Sequence, residues 1–323
     1  MIHFGRVLYI LRKGMFFLKV LVAGGAGFIG SHLVRALQEE GHTPVVLDNL
    51  STGLREHVPG DIEFLEMDVC DESLLQKIQG KRLDAIVHLA GQTMVDASVQ
   101  DPKNDAQENI IGTINLLEAA RQCDIERVVF SSTAAGYGNV SAEDLPVLES
   151  KPLAPMSFYG LSKVTAEHYL EVYRQIFGMG YVVLRFANVY GERQGDGGEG
   201  GVISIFAKRI VQGEDITIFG DGEQTRDFVY AGDIANGICA ALRTKNVNTA
   251  YNLSTQTETS LRELVSLLSK VAGRDIIPLY GPERPGDIRR SMLANGKAAR
   301  GLGWKPAMPL LEGLRRTVDY FAK

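Results

Sequence analysis

The sequence predicts an α/β fold: a doubly wound parallel sheet with a smaller mixed α/β substrate domain. Three observations lead there. Short apolar strands alternate with helical patterns through the first half, which implies a parallel sheet covered on both faces. A glycine-punctuated turn joins the first strand to the first helix. After about residue 188 the alternation breaks at a glycine-rich loop, "GERQGDGGEGG".

In order, "FLKVLVAGGAGFIGSHLVRALQEEG" reads as strand, tight turn, helix and helix stop, the strand starting near Leu18. "PVVLD" and "IEFLEMD" are the second and third strands, and "DAIVHLA" is the fourth, after a helix near 71–80. "NIIGTINLLEAARQC" is a helix, "ERVVFSS" the fifth strand, the stretch around "SFYGLSK" opens a long helix, and "GYVVLRF" is the sixth strand. Beyond the glycine loop come a helix, "DITIFGDG", a helix at about 231–243 that returns to the first domain, and a tail with two amphipathic runs. The expected division is a dinucleotide-binding domain over 16–187 with a returning segment near 227–245. The second domain takes 188–226 and 246–323.

Composition narrows the function classes. The 323 residues carry a formal net charge of −5 with 23% charged residues, which gives no support for a nucleic-acid surface. Cys70, Cys123 and Cys239 form no pair or metal-ligand spacing, which argues against a disulfide scaffold and fits a reducing, cytoplasmic setting. The six histidines are dispersed, so no metal is expected. The apolar pieces of "MIHFGRVLYILRKGMFFLKV" fall well short of the ~20 residues that span a bilayer, so no membrane association is expected. Residues 1–14 read as an extension, with Met15 as an alternative start.

Gly24, Gly27 and Gly30 follow the first strand at intervals of three. Small residues there permit a tight turn and close approach of a pyrophosphate, and the next helix offers free amides and its positive end. Asp48 closes the second strand, where a carboxylate accepts from a ribose diol and repels a 2′-phosphate, so NAD is expected rather than NADP. Asp68 either accepts from an adenine amino group or caps a helix. His88 reads as a packed strand-end residue and His168 as a satisfied or exposed helix residue.

Tyr159 and Lys163, four apart, share a helical face. An ammonium beside a phenol favours phenolate, and a drop of about three pKa units would make it a workable general base. Ser131, Ser132 and Thr133 crowd the C-terminal end of strand five, the edge where such sheets gather ligand groups. Thr133 is the expected partner that holds a substrate oxygen against Tyr159, whereas Ser131 reads equally as a strand-end cap. Asn109 sits in a central helix, where a buried amide needs partners.

Together "GGAGFIG", "DNLSTG", "HLAG", "SSTAAGYG", "YGLSK", "RFANVYG" and "ERPGD" resemble the extended short-chain dehydrogenase/reductase family, and within it the UDP-glucose 4-epimerases, over roughly residues 18–320. The resemblance implies a Rossmann-like domain binding NAD, with Thr133, Tyr159 and Lys163 catalytic. The implied cofactor contacts are Gly24, Gly27, Phe28, Ile29, Gly30, Asp48, Asn49, Asp68, Val69, Leu89, Ala90, Gly91, Asn109, Tyr159 and Lys163. For a UDP-sugar it implies Thr133, Asn188, Val202, Arg226, Arg284 and Asp287, although each arginine also reads as a solvated surface residue. It implies a homodimer through a four-helix interface built from helices around 101–122 and 157–177.

Related dehydratases carry an Asp-Glu pair after the threonine, and this chain has Ala134 and Ala135. The resemblance therefore favours oxidation and re-reduction at sugar C4, with Tyr159 as base and Lys163 bonding the nicotinamide ribose. Thr93 stands where one epimerase branch has a lysine near the substrate phosphate. Ser291 stands where that branch has a bulky tyrosine, which leaves room for an N-acetyl group at C2. Other readings are a UDP-glucuronate 4-epimerase, a nucleotide-sugar reductase or dehydrogenase, and a non-enzymatic NAD-sensing scaffold.

Overall fold

In the strand Lys19–Ala23, alternation sends Val20 and Val22 to one face and Leu21 and Ala23 to the other, and each pair enters a different buried cluster. A strand with two buried faces belongs inside a covered parallel sheet. The structure is a computed structural model and describes residues 17–195, 200–283 and 288–323. The first half runs β1 (Lys19–Ala23), α1 (Phe28–Glu39), β2 (Thr43–Asp48), β3 (Glu63–Glu66), α2 (Leu74–Ile78) and β4 (Ala85–His88). It continues through α3 (Val95–Gln100), α4 (Pro102–Ala106), α5 (Gly112–Gln122), β5 (Arg127–Thr133), α6 (Phe158–Phe177) and β6 (Gly180–Phe186).

The second half holds β7 (Asn188–Tyr190), α7 (Val202–Gln212), β8 (Thr217–Phe219), β9 (Thr225–Arg226), β10 (Phe228–Tyr230) and α8 (Ala231–Arg243). After these come β11 (Thr249–Leu253), β12 (Thr259–Ser260), α9 (Leu261–Ala272), β13 (Leu279–Gly281), α10 (Gly296–Leu302) and α11 (Leu310–Phe321).

The main sheet has seven strands in the order β11-β6-β5-β4-β1-β2-β3, all parallel. The order reverses between β1 and β4, which opens a crevice outside the C-terminal strand ends. α8 does return, packing on α1. It also brings back a strand: β11 pairs with β6 from Thr249↔Val182 to Leu253↔Phe186. The expected boundary at 245 therefore falls short, because "TAYNL" is too brief and mixed to announce a buried strand by itself. Trp304, buried and donating to the Asp233 carbonyl at 2.8 Å, anchors the chain after α10 on the same side.

A third apolar cluster, with Ile203, Phe206, Ile218, Phe228, Leu264 and Leu314, forms the smaller part from α7, α9, α11 and short two-stranded pieces. α9 starts at a full capping box, Ser260 with Glu263, and ends on Gly273 in the left-handed region. Among the described residues no helix is long and apolar enough to cross a membrane.

Candidate active site

Glycine is required at the first turn because the backbone of two elements meets there. Gly24 has φ +81, and a Cβ on it would lie 2.6 Å from the Ala90 nitrogen; one on Gly30 would lie 2.0 Å from the Gly24 carbonyl. The tight approach leaves the first amides of α1 without any side-chain cap at Gly27. Phe28 and Ile29 open that helix. A helix N-terminus left open beside a glycine turn suits a diphosphate.

Asp48 is buried and shapes the same loop, accepting from the Ala26 amide (2.9 Å) and the Leu50 amide (2.9 Å). Burial raises its pKa, and those amides pull it back. Asp68 is not a helix cap, since Ser73 precedes α2. Its oxygens accept from the Cys70 amide (2.7 Å) and the Asn49 amide group (2.6 Å), tying the ends of β2 and β3 together. Val69 is buried, and its carbonyl accepts from Asn115 at 3.1 Å. Leu89 and Ala90 carry β4 to Gly91, which has φ +134 and would press a Cβ to 2.2 Å from Asn109 Oδ1.

Asn109 lies in a π-helical turn, Gln107–Ile111, between α4 and α5. Such turns widen a helix locally and recur at functional sites. Its Nδ2 faces three acceptors: the Gln92 carbonyl (3.0 Å), Asp105 Oδ1 (3.1 Å) and Ser162 Oγ (3.2 Å). Its Oδ1 is buried with no partner, an acceptor aimed beside Gly91.

α6 starts at Ser157, whose hydroxyl accepts from the Gly160 amide at 3.0 Å. This cap puts Tyr159 in the first turn, facing strand β5, with Lys163 one turn on. Lys163 is buried; its Nζ lies 5.0 Å from the Phe130 ring centroid and 3.9 Å from the Cβ position of Gly91. Burial lowers its pKa to about 8, and the Asp105 charge holds it up.

The phenol departs from expectation. Tyr159 keeps a minor part of its area exposed, yet protein atoms surround it densely enough for burial to raise its pKa. A hydrogen bond with Thr133 lowers it and Asp105 raises it further. In the protein alone, desolvation thus outweighs the depression expected from a neighbouring ammonium.

Ser131 proves to be a strand-end bond, its hydroxyl donating to the His88 carbonyl at 2.9 Å. Ser132 donates to Glu167 at 2.5 Å, and Glu167 forms a buried pair with Arg185 at 2.6 Å. Arg185 also donates to the Tyr137 hydroxyl at 2.9 Å, so an ion pair under β5 braces the loop after Thr133.

His88 is buried and neutral, its pKa lowered to about 3 by burial and by Lys163. Its Nε2 lies 3.0 Å from Thr113 Oγ1, which spends its one proton on the Asn109 carbonyl at 2.6 Å. His88 Nε2 must therefore be the donor. His168 is exposed.

Thr133 and Tyr159 open onto a cavity of about 300 Å³ between the sheet edge and the smaller part. Asn188 and Arg226 join them on its wall, as do Thr93 and Ser291. Arg226 Nη1 donates to the Ile288 carbonyl at 2.6 Å. Val202 begins α7 and is not on this wall. Arg284 and Asp287 lie outside the described residues. Sequence reasoning missed Arg290, which lines the cavity, and the buried Asp105. Only for Asp105 was there a signal, its i,i+4 spacing from Asn109.

Among the described residues no cluster of potential metal ligands occurs. The model of the NAD dependent epimerase/dehydratase family matches residues 20–254. A putative UDP-glucose 4-epimerase of Methanocaldococcus jannaschii is 43% identical over 93% of this chain and 97% of its own length. UDP-glucose 4-epimerase from Thermotoga maritima, solved with UDP-glucose, superposes with a TM-score of 0.90 at 42% identity, over 94% of this chain and 98% of its own. The Thermus thermophilus UDP-glucose 4-epimerase, solved with NAD, gives 0.87 at 42% identity, over 94% and 99%. A UDP-N-acetylglucosamine 4-epimerase from Methanobrevibacter ruminantium gives 0.89 at 33% identity, over 94% and 98%.

Proposed function

The chain belongs to the NAD dependent epimerase/dehydratase family, and we propose that it inverts carbon 4 of a UDP-hexose, with NAD as a retained cofactor. One observation carries this reading. The cavity wall carries Tyr159 hydrogen-bonded to Thr133, with Lys163 one turn behind it, and no carboxylate among the described residues. Elimination or decarboxylation would call for an acid beside the threonine, where Ala134 and Ala135 stand. A phenol bonded to Thr133, with no acid beside it, suits a reaction that takes one proton and returns it.

The residues present fit the cofactor. The Gly24–Gly30 turn with the uncapped α1 amides is a diphosphate cradle, Asp48 ends β2 where a ribose diol would lie, and Asn109 Oδ1 is an acceptor in need of a donor. When bound, NAD would supply reversible hydride acceptance at C4. Tyr159 removes the C4 hydroxyl proton and later restores it. Thr133 holds that oxygen and the phenol together through its hydroxyl. Lys163, buried and cationic, stabilises the phenolate, and Arg226 and Asn188 hold the diphosphate end. Asn49, Asp68, Val69, Leu89 and Ala90, at the C-terminal ends of β2, β3 and β4, are proposed as further cofactor contacts. Ser291 leaves space at the wall for an N-acetyl group.

The test is a panel of nucleotide sugars incubated with the purified protein and separated by chromatography. Interconversion of C4 epimers without added cofactor is expected. Tyr159→Phe should lose about 10²–10⁴-fold in rate while keeping bound NAD; near-full activity in that variant would overturn the assignment. Turnover confined to unsubstituted hexoses would remove the N-acetyl part of the reading. A second reading, a UDP-hexuronate substrate, is favoured by Arg290 on the cavity wall, although Glu258 already holds that guanidinium. Faster turnover of the uronate than of the hexose would select it.

The chain is also proposed to form a homodimer through α6 and the helical run of α4 and α5. Phe158, Leu161, Val172 and Ile176 on α6 and Ile111 beside α5 are exposed, an apolar stretch that a second copy would cover.

A further inference from the structure

We propose that Asp105 is a positioning residue for the Tyr159–Lys163 pair, acting in two separable ways: through its charge, and through the hydrogen-bonded hub that it forms with Asn109 and Gln92. The inference rests on the proposed roles of Tyr159 and Lys163. Asp105 sits on α4 and is 1% exposed, while carboxylates seldom lose contact with water without a reason. Its Oδ1 accepts from Gln92 Nε2 at 2.9 Å and from Asn109 Nδ2 at 3.1 Å. Gln92 Nε2 also donates to the Met94 carbonyl at 2.8 Å, and Thr93 and Val95 beside it line the sugar cavity. Asn109 in turn reaches Ser162 on α6, between the two catalytic residues. One carboxylate oxygen therefore joins α4, the π turn, the loop after β4 and α6.

The charge acts on the same pair. The titratable groups packed around Lys163 are Tyr159 on its own helix, His88 on β4 and Asp105 on α4, and His88 is neutral. Asp105 is the anion that raises both the lysine and the tyrosine. Burial, opposed by the Asp105 charge, leaves Lys163 at about 8, close to neutral pH, so that charge bears on how much of it stays protonated. Removing the charge lowers both groups, and the whole pH window moves to lower pH.

Asp105→Asn keeps the acceptor oxygen and removes the charge. Both limbs of its kcat profile are expected at lower pH than in the wild type. Gln92→Ala breaks the hub and keeps the charge; its kcat is expected to fall about tenfold or more from lost alignment, with limbs in place. Ionisation is also read without turnover, from the ¹³Cζ resonance of labelled tyrosine, assigned with Tyr159→Phe. In Asp105→Asn, with and without NAD, Tyr159 should ionise at lower pH. Asp105→Glu retains the charge and should hold the wild-type limbs. Unmoved limbs and resonance in Asp105→Asn, or equal movement in Asp105→Glu, overturn the proposal. If the resonance titration moves but Tyr159→Phe retains activity, the electrostatic inference stands and the functional reading fails.

Discussion

At the scale of single residues, the site is set by desolvation. Lys163 is held to about 8 by burial, and the same burial raises the phenol it was expected to depress. His88 illustrates the consequence for stability. Its pKa in the folded chain, about 3, is below its ordinary 6.5, so between these values the unfolded chain binds the extra proton. Its contribution is complete above about pH 6.5 and is lost as pH falls toward 3. At pH 5 the loss is about 2 kcal/mol. His88→Gln keeps a donor for Thr113 and should shrink the drop in unfolding free energy between pH 7 and 5 by about that amount, read by urea titration.

At the scale of elements, close contacts and shared hubs decide placement. Gly30→Ala would set a Cβ 2.0 Å from the Gly24 carbonyl, so α1 would have to move off β1. The expected outcome is loss of NAD binding, by calorimetry, with the sheet intact by circular dichroism. Asp227, fully buried between β9 and β10, accepts from the Thr255 amide (2.8 Å) and hydroxyl (2.6 Å), the Gln256 amide (3.1 Å) and the Leu293 amide (3.3 Å). It thus ties the turn after β11 to the stretch carrying Ser291 and Leu293 on the cavity wall. Asp227→Ala leaves these donors unpaired, at about 1–3 kcal/mol each where water does not replace the carboxylate. A lower melting temperature and weaker UDP-sugar binding are expected together.

At the scale of the whole molecule, the sheet and the smaller part share one cavity, and α6 serves both the site and an outer face. Tyr159 and Lys163 lie on its inner side, while Val172 is 46% and Ile176 66% exposed on its outer side. A charge placed there should block association without touching the cavity. Ile176→Glu, alone or with Val172→Glu, is expected to shift the protein from dimer to monomer in sedimentation equilibrium; an unchanged mass would remove the proposed interface.

The local sequence determined the strand–turn–helix opening, the six first strands and the Tyr159–Lys163 face, because each depends on neighbours within a few positions. It also showed the glycines whose backbones make close contacts and the alanines beside Thr133. The tertiary structure alone decided that β11 completes the sheet, that Arg290 shares a cavity wall with Thr133 and Tyr159, and that the buried Asp105 acts on Tyr159 and Lys163. Those depend on pairings across tens to hundreds of residues, which no local pattern records. It decided the proton affinities too, since desolvation is set by how densely distant segments close around a group, and the sequence shows only which groups stand nearby along a helix.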